Sequence, residues 1–218
     1  MRFEKKFIML DNSYIELFSF LISCNFRNIY PSRYVNSLYY DTSNFDHYID
    51  SKEGFPERSK VRIRFYNNEI EKMILEYKIK KAEIGYKKTQ NQIQQLKPII
   101  EIKVKNPLAK SKILKINIPQ KIDFTLTPSL FISYKRFYFL SSCNDFRITI
   151  DTDLTFSNLR YSKFISEFPF YLERFINVIE IKYSDKVKNL DLIEAISNFN
   201  EIYLSRCSKY TIGIDKCF

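Results

Sequence analysis

The chain has 218 residues, with 35 Lys and Arg against 25 Asp and Glu, for a formal net charge of +10. A hydrophobic content of 45%, with 17% aromatic, excludes a disordered or low-complexity chain and suits one domain with a sizeable core. Three glycines and no G-x-x-x-x-G-K-S/T or G-x-G-x-x-G string exclude a glycine-cradled nucleotide loop, while the basic balance asks for an anionic partner.

Arg2, Glu4 and Lys6 alternate with Phe3, Lys5 and Phe7, so Met1–Met9 reads as a first strand. Ser13 with Glu16 is a capping box, and Tyr14, Leu17, Phe18, Leu21 and Ile22 then lie on one helical stripe. That apolar stretch is too short to span a bilayer. Pro31 is expected to end the region, Tyr34–Asp41 to form a second strand, and Thr42 or Ser43 to cap a short helix running to Asp50. After Gly54 and Pro56 come two strongly alternating runs. Val61, Ile63 and Phe65 oppose Arg62, Arg64 and Tyr66, and Leu75, Tyr77 and Ile79 oppose Glu76, Lys78 and Lys80, with a turn at Asn67-Asn68. A strand over Ile84–Thr89 carries Lys87 and Lys88, and Asn91–Leu96 reads as helix. Pro98–Asp123 is mixed: Glu101, Lys103 and Lys105 alternate with Ile100, Ile102 and Val104, and Lys110, Lys112 and Lys115 read as solvated.

A strand after Pro128 runs to Leu140 with Tyr134, Arg136 and Tyr138 in step, turns at Ser141–Asn144, and returns over Asp145–Asp153. There Arg147, Thr149 and Asp151 oppose Phe146, Ile148 and Ile150. Asn158–Phe175 is an aromatic-rich connection. Ile176–Tyr183 sets Glu180 and Lys182 against Ile179, Ile181 and Tyr183, Leu190–Phe199 reads as an amphipathic helix, and Ser208–Ile214 as a closing strand. Cys24, Cys143, Cys207 and Cys217 show neither a C-x-x-C pair nor metal spacing. With no secretory signal they read as reduced core thiols of a cytoplasmic protein.

The polar faces of these strands concentrate Arg, Lys and Glu, where a solvated face would mix Ser, Thr and Gln. For one strand, a solvated face with cross-strand salt bridges is the plainer reading, but its recurrence along the chain weighs against it. The expected fold is α+β: a closed antiparallel β-barrel of about eight strands, charged faces turned into the lumen and apolar faces outward under flanking helices. Such a lumen suits a polyanion together with a metal ion.

The ordered set RFEKKF, SLYYDT, KVRIRFY, LEYKIK, SYKRFYF, RITIDTDL, VIEIKY and SKYTIG resembles the VTC domain. This is the catalytic domain of the vacuolar transporter chaperone polyphosphate polymerases, a branch of the triphosphate tunnel metalloenzyme superfamily. Each motif is short, but their order from Arg2 to Gly213 is specific. The resemblance implies a single tunnel domain over residues 1–218 that moves the ATP γ-phosphate onto a polyphosphate chain with Mn²⁺ or Mg²⁺. Matched motif by motif, it implies triphosphate binding by Lys6, Arg62, Arg64, Lys78, Lys88, Tyr134, Arg136, Arg147, Lys182, Ser208 and Lys209. Lys87 competes with Lys88 for one of these places. Arg62, Arg64, Lys78, Arg136 and Lys209 are the candidates for catalysis, and Glu180, with Glu4, Glu76 or Asp151, for the metal. ATP or another triphosphate and polyphosphate are the implied partners; no nucleic acid is expected, though a nucleic-acid binder is the remaining alternative, and a membrane-bound partner stays open. A triphosphatase on the same scaffold and a non-catalytic polyphosphate or nucleotide binder are the alternatives. The first strand has Arg2 where the wider superfamily often places a second glutamate, residues 96–123 align with no motif, and the chain shows no SPX domain or membrane span.

Overall fold

The computed structural model describes residues 2–10, 14–67, 69–82, 84–91, 99–106, 109–117, 126–160, 171–173, 176–187, 190–199, 201–205 and 208–218. In chain order the elements are β1 (Arg2–Leu10), α1 (Tyr14–Ser23), β2 (Phe26–Asp41), α2 (Asp46–Glu53) and β3 (Glu57–Tyr66). A 3-10 turn (Ile70–Lys72) leads to β4 (Ile74–Lys81), β5 (Ile84–Asn91), β6 (Ile99–Asn106) and β7 (Ala109–Asn117). Then follow β8 (Thr127–Ser141), β9 (Phe146–Asn158), β10 (Tyr171–Glu173), β11 (Ile176–Ser184), α3 (Asp191–Ser197), β12 (Ile202–Leu204) and α4 (Lys209–Cys217). The chain divides into two compact units: Met1–Tyr34, Tyr134–Leu154 and Leu172–Cys207 form the first, and Val35–Ser133, Thr155–Tyr171 and Ser208–Phe218 the second.

In the first unit β1 lies antiparallel between β11 and β12, and β11 pairs in turn with β9. Alternation puts Phe7, Met9, Ile148, Ile150, Ile179 and Ile181 on one face, all buried. Leu17 and Leu21 of α1 and Ile193 and Ile196 of α3 cover that face. Phe18 meets Phe137 and Phe139 edge-on at 4.7 and 5.1 Å, a geometry that aromatic quadrupoles favour. The apolar faces are therefore under helices here, and the charged residues of the same strands point the other way.

The second unit is built on the antiparallel meander β2–β3–β4–β5. Leu38, Tyr40, Val61, Ile63, Phe65 and Leu75 share its apolar face with Phe131 of β8. The opposite face carries a rung running Tyr39, Arg62, Glu76, Thr89 across the four strands. Helix α4 seats on β8 and β9 through Gly213, where a Cβ would come within 2.5 Å of both Leu130 Cδ2 and Phe156 Cδ1. Gly213→Ala is expected to cost about 1–3 kcal/mol through overpacking, read as a lower urea midpoint at unchanged slope. Strands β6 and β7 pair with each other as a separate two-stranded sheet. Among the described residues no helix is long and apolar enough to cross a membrane.

The expected closed barrel is not formed. The hydrogen-bonded order is β12-β1-β11-β9-β8-β2-β3-β4-β5 with β10 on β9, and among the described residues no ladder joins β12 to β5. The sheet is open and antiparallel. Period-two alternation specifies which side chains share a face, but closure needs a ladder between the two end strands. One of those ends, β12, is only three residues long.

Several local expectations are also corrected. Pro31 lies inside β2, ahead of the Val35–Tyr40 ladder with β3, where β3 asks no N–H of it. Residues 208–214 begin a helix, not a strand. Within Pro98–Asp123, read as mixed, residues 99–106 and 109–117 pair as two antiparallel strands, and the rest lies outside the described residues. Cys24 and Cys143 are exposed rather than core, and Cys207 lies outside the described residues. The Ser13 cap and most of the expected helix at 91–96 also lie outside them.

Candidate functional site

Two clusters of charge stand out, one in each unit. In the second unit, Glu76 of β4 is buried, and its Oε2 accepts from Arg62 Nε and Arg64 Nη2, both at 2.8 Å. Its Oε1 lies 2.7 Å from Lys87 Nζ. The register explains this convergence. Arg62 is directly opposite Glu76, Arg64 is two residues along the same face of β3, and Lys87 is diagonal to Glu76 on β5. The guanidiniums are further held by tyrosines: Arg62 Nη1 donates to Tyr39 Oη at 2.9 Å, and Arg64 Nη1 to Tyr66 Oη at 3.2 Å. One carboxylate thus organises three cations on one face.

Burial alone would push the Glu76 carboxyl up, but the Arg62 charge and the Lys87 hydrogen bond bring it below its ordinary value of 4.5. Its folded value is therefore below its unfolded one. The stability it contributes is complete above pH 4.5 and is lost as pH falls through the folded value. Glu76→Gln is expected to flatten the acid limb of a plot of melting temperature against pH; an unchanged limb would refute this assignment.

Lys78 is exposed on the same face, directly opposite Lys60 on one side and Lys87 on the other. Lys60 Nζ donates to Ser208 Oγ at 2.6 Å, which brings the residue preceding Lys209 and α4 to this face. Of the two lysines on β5, it is Lys87 that shares the charged face. Lys88 stands opposite Tyr77, whose ring packs toward the apolar cluster.

In the first unit, Lys6 is opposite Glu180 and Glu4 opposite Lys182 across the β1–β11 ladder. Lys182 Nζ lies 2.5 Å from Glu180 Oε1 and 3.6 Å from Glu4 Oε2, and Lys6 Nζ lies 2.8 Å from Glu4 Oε1. Burial opposes ionisation of Glu180, yet Lys182, Lys6 and Arg136 together hold its carboxyl far below the usual carboxylate range. Arg136 makes a two-pronged pair with fully buried Asp151, at 2.6 and 2.7 Å, and its guanidinium lies 5.3 Å from the centre of the Tyr134 ring. Burial works against the Arg136 charge, but Asp151 keeps it firmly protonated. Arg147 is exposed and directly opposite Lys182. Among the described residues, no group of three or more His, Cys, Asp or Glu is placed to hold a metal ion, and Glu4 and Glu180 share Lys182 as an ion-pair partner.

Each predicted site residue on a strand therefore shares its unit's charged face, Lys88 excepted. Sequence reasoning passed over Lys60 and Tyr39, and left Tyr66 on the charged face without a role. Lys60 carried the same signal as Arg62 and Arg64, being in step with them on β3, and Tyr39 lies in the SLYYDT string.

A candidate adenylyl cyclase from Hippeastrum, described as having a dominant triphosphatase activity, matches 100% of this chain and 97% of its own at 12% identity and a TM-score of 0.50. A candidate adenylate cyclase from Bacillus halodurans matches over 90% of this chain and 88% of its own at 14% identity and a TM-score of 0.51. These likenesses are of fold. No curated protein matches the chain. The family model of the VTC domain matches residues 1–218, from the first residue to the last. By that match, this chain belongs to the VTC domain family.

Proposed function

We propose that the protein is an enzyme acting on triphosphates, and that its reaction is transfer of the ATP γ-phosphate onto a polyphosphate chain. The observation that carries this reading is the VTC match along the whole chain, and the clusters of cations support it. Arg62 and Arg64 offer fork-shaped, permanently charged donors suited to phosphate oxygens, and Lys60, Lys78, Lys87 and Lys209 add point charges in the same unit. In the transfer, an oxygen of the chain-end phosphate bonds to the γ-phosphorus, the bond to the β,γ-bridging oxygen breaks, and ADP leaves. The attacking phosphate is already anionic, so no strong general base is needed. Positioning and charge stabilisation carry the rate.

The carboxylates differ in their fitness for a metal. Glu180 and Glu4 suit a hard ion such as Mg²⁺ or Mn²⁺, which takes one or two carboxylates beside water and phosphate oxygens. Both are ion-paired with lysines that an incoming cation could release. Glu76 suits it poorly, because three cations already occupy its two oxygens. Its role in this reading is counter-ion to Arg62, Arg64 and Lys87. When bound, the ion would neutralise charge on the phosphate oxygens.

Incubation with ATP and Mn²⁺ tests the reading. A polymeric, polyphosphatase-sensitive product supports it, free phosphate alone makes the protein a triphosphatase, and tight binding without turnover makes it a binder. Glu180→Ala is expected to abolish metal-dependent turnover while leaving metal-free triphosphate binding measurable by calorimetry. Full turnover in that variant would remove Glu180 from the metal site.

A further inference from the structure

The first residues of α4 are tied into the second unit by a chain of contacts that ends on Arg62. Asp41 closes β2 with a fully buried carboxylate. Its Oδ1 accepts the backbone N–H of Thr42 at 2.8 Å and of His47 at 2.9 Å, and its Oδ2 accepts that of Tyr48 at 3.0 Å and the Tyr210 hydroxyl at 2.5 Å. Four donors use all the directions a carboxylate offers, so this group has one orientation. It satisfies the opening N–H groups of α2 and pins Tyr210 in place.

The Tyr210 ring then stacks on the Tyr39 ring, with centroids 4.7 Å apart and planes 17° from parallel. Ser129 Oγ closes the arrangement, lying 3.2 Å from Tyr210 Oη and donating to the Tyr39 carbonyl at 3.1 Å. Tyr39 has one polar atom to offer beyond the stack, and its hydroxyl accepts from Arg62 Nη1 at 2.9 Å. The guanidinium is thereby held at two points, Tyr39 on Nη1 and Glu76 on Nε. Two anchors on adjacent nitrogens of a planar group set its plane as well as its position.

We propose that Tyr210, fixed by Asp41, is a positioning residue that acts through Tyr39 to orient Arg62 for the triphosphate, an inference that rests on reading this face as the phosphate-binding one. Neither tyrosine touches the phosphate. The stack limits how Tyr39 can tilt, and Tyr39 limits how Arg62 can turn. Because Tyr210 follows Ser208 and Lys209 directly, the same anchor also sets where those two residues stand.

The test is a double-mutant cycle read by calorimetric titration with inorganic triphosphate, beside thermal unfolding of each variant. Tyr39→Phe keeps the stack but removes the acceptor of Arg62, and is expected to weaken binding about tenfold. Tyr210→Leu removes the stack and is expected to weaken it about fivefold. In the Tyr39→Phe background, Tyr210→Leu should add less than a twofold change, because its route to Arg62 is already cut. Tyr210→Phe should restore most of the affinity lost in Tyr210→Leu, since the ring returns. A purely structural role would lower the melting temperatures and leave the folded protein's affinity unchanged. Unchanged affinity in Tyr39→Phe, or fully additive losses in the double variant, would overturn the proposal. Should Tyr210→Leu not fold, Asp41→Asn, which weakens the anchor of Tyr210, takes its place in the cycle under the same criteria. Arg62→Ala separates the two levels. Wild-type affinity there defeats the reading of the face, whereas loss of affinity with no effect from either tyrosine defeats only this inference.

Discussion

Asp151→Ala is expected to destabilise the first unit by about 3–5 kcal/mol, the largest effect of any single change considered. Arg136 and Asp151 are paired through two hydrogen bonds in a place where Asp151 has no exposure and the Arg136 side chain only 16%. Removing the carboxylate leaves a guanidinium that can neither lose its proton nor reach bulk water without moving. Tyr134 and the Glu180 carboxylate would remain near it, but neither a ring face nor a carboxylate already paired with Lys182 replaces the two lost hydrogen bonds. Replacing both partners, Arg136→Met with Asp151→Leu, should recover most of the loss, because the penalty comes from the orphaned charge and not from the missing attraction. Urea unfolding of the two variants measures this. A single-variant loss under about 1 kcal/mol would mean that Arg136 finds another partner or reaches solvent.

The second large effect concerns binding. Arg64→Ala is expected to raise the dissociation constant for triphosphate about a hundredfold or more, since a charged, fork-shaped donor is lost from the group proposed to bind phosphate. The fold should survive. Glu76 keeps Arg62 at 2.8 Å and Lys87 at 2.7 Å, so its charge is still balanced, and Tyr66 loses only one partner. Calorimetry on a folded variant separates the two contributions. Affinity within twofold of the wild type would remove this face from the reaction altogether.

How far these features were legible in the sequence follows from what each depends on. Strands β3, β4 and β11 announce themselves because apolar and charged residues alternate over Lys60–Phe65, Leu75–Lys80 and Ile179–Tyr183, and the same alternation places Arg62, Arg64 and Glu76 on one side of the sheet; β1 keeps only part of the pattern, which Lys5 breaks. The choice between Lys87 and Lys88 could not be made that way. It depends on the register of β5 against β4, which the turn between them sets through residues such as Ala82 at φ 51°. Helix α4 was misread because Tyr210, Ile212 and Ile214 alternate like a strand, whereas the buried set is Tyr210, Gly213 and Ile214, which is helical spacing. Asp41 was readable as the end of a strand. Its bonds to the start of α2 and to Tyr210 were not, since they join residues up to 169 positions apart. The open sheet was invisible for a related reason: alternation describes neighbours on one strand, never which strand is left without a partner.

The pairing of β1 with β11 has a bearing on how the molecule is made. Arg2 is matched with Ser184 and Leu10 with Ile176, so β1 cannot dock on β11 until residues 176–184 have been made. At translation rates of about 5–20 residues per second, that is a delay of roughly 10–40 s. Meanwhile the β3–β4–β5 meander, whose partners are close neighbours in sequence, can already assemble. For that interval Phe7 and Met9 remain uncovered on the nascent chain, a natural target for a holding chaperone and a point at which slowed translation would favour aggregation over maturation.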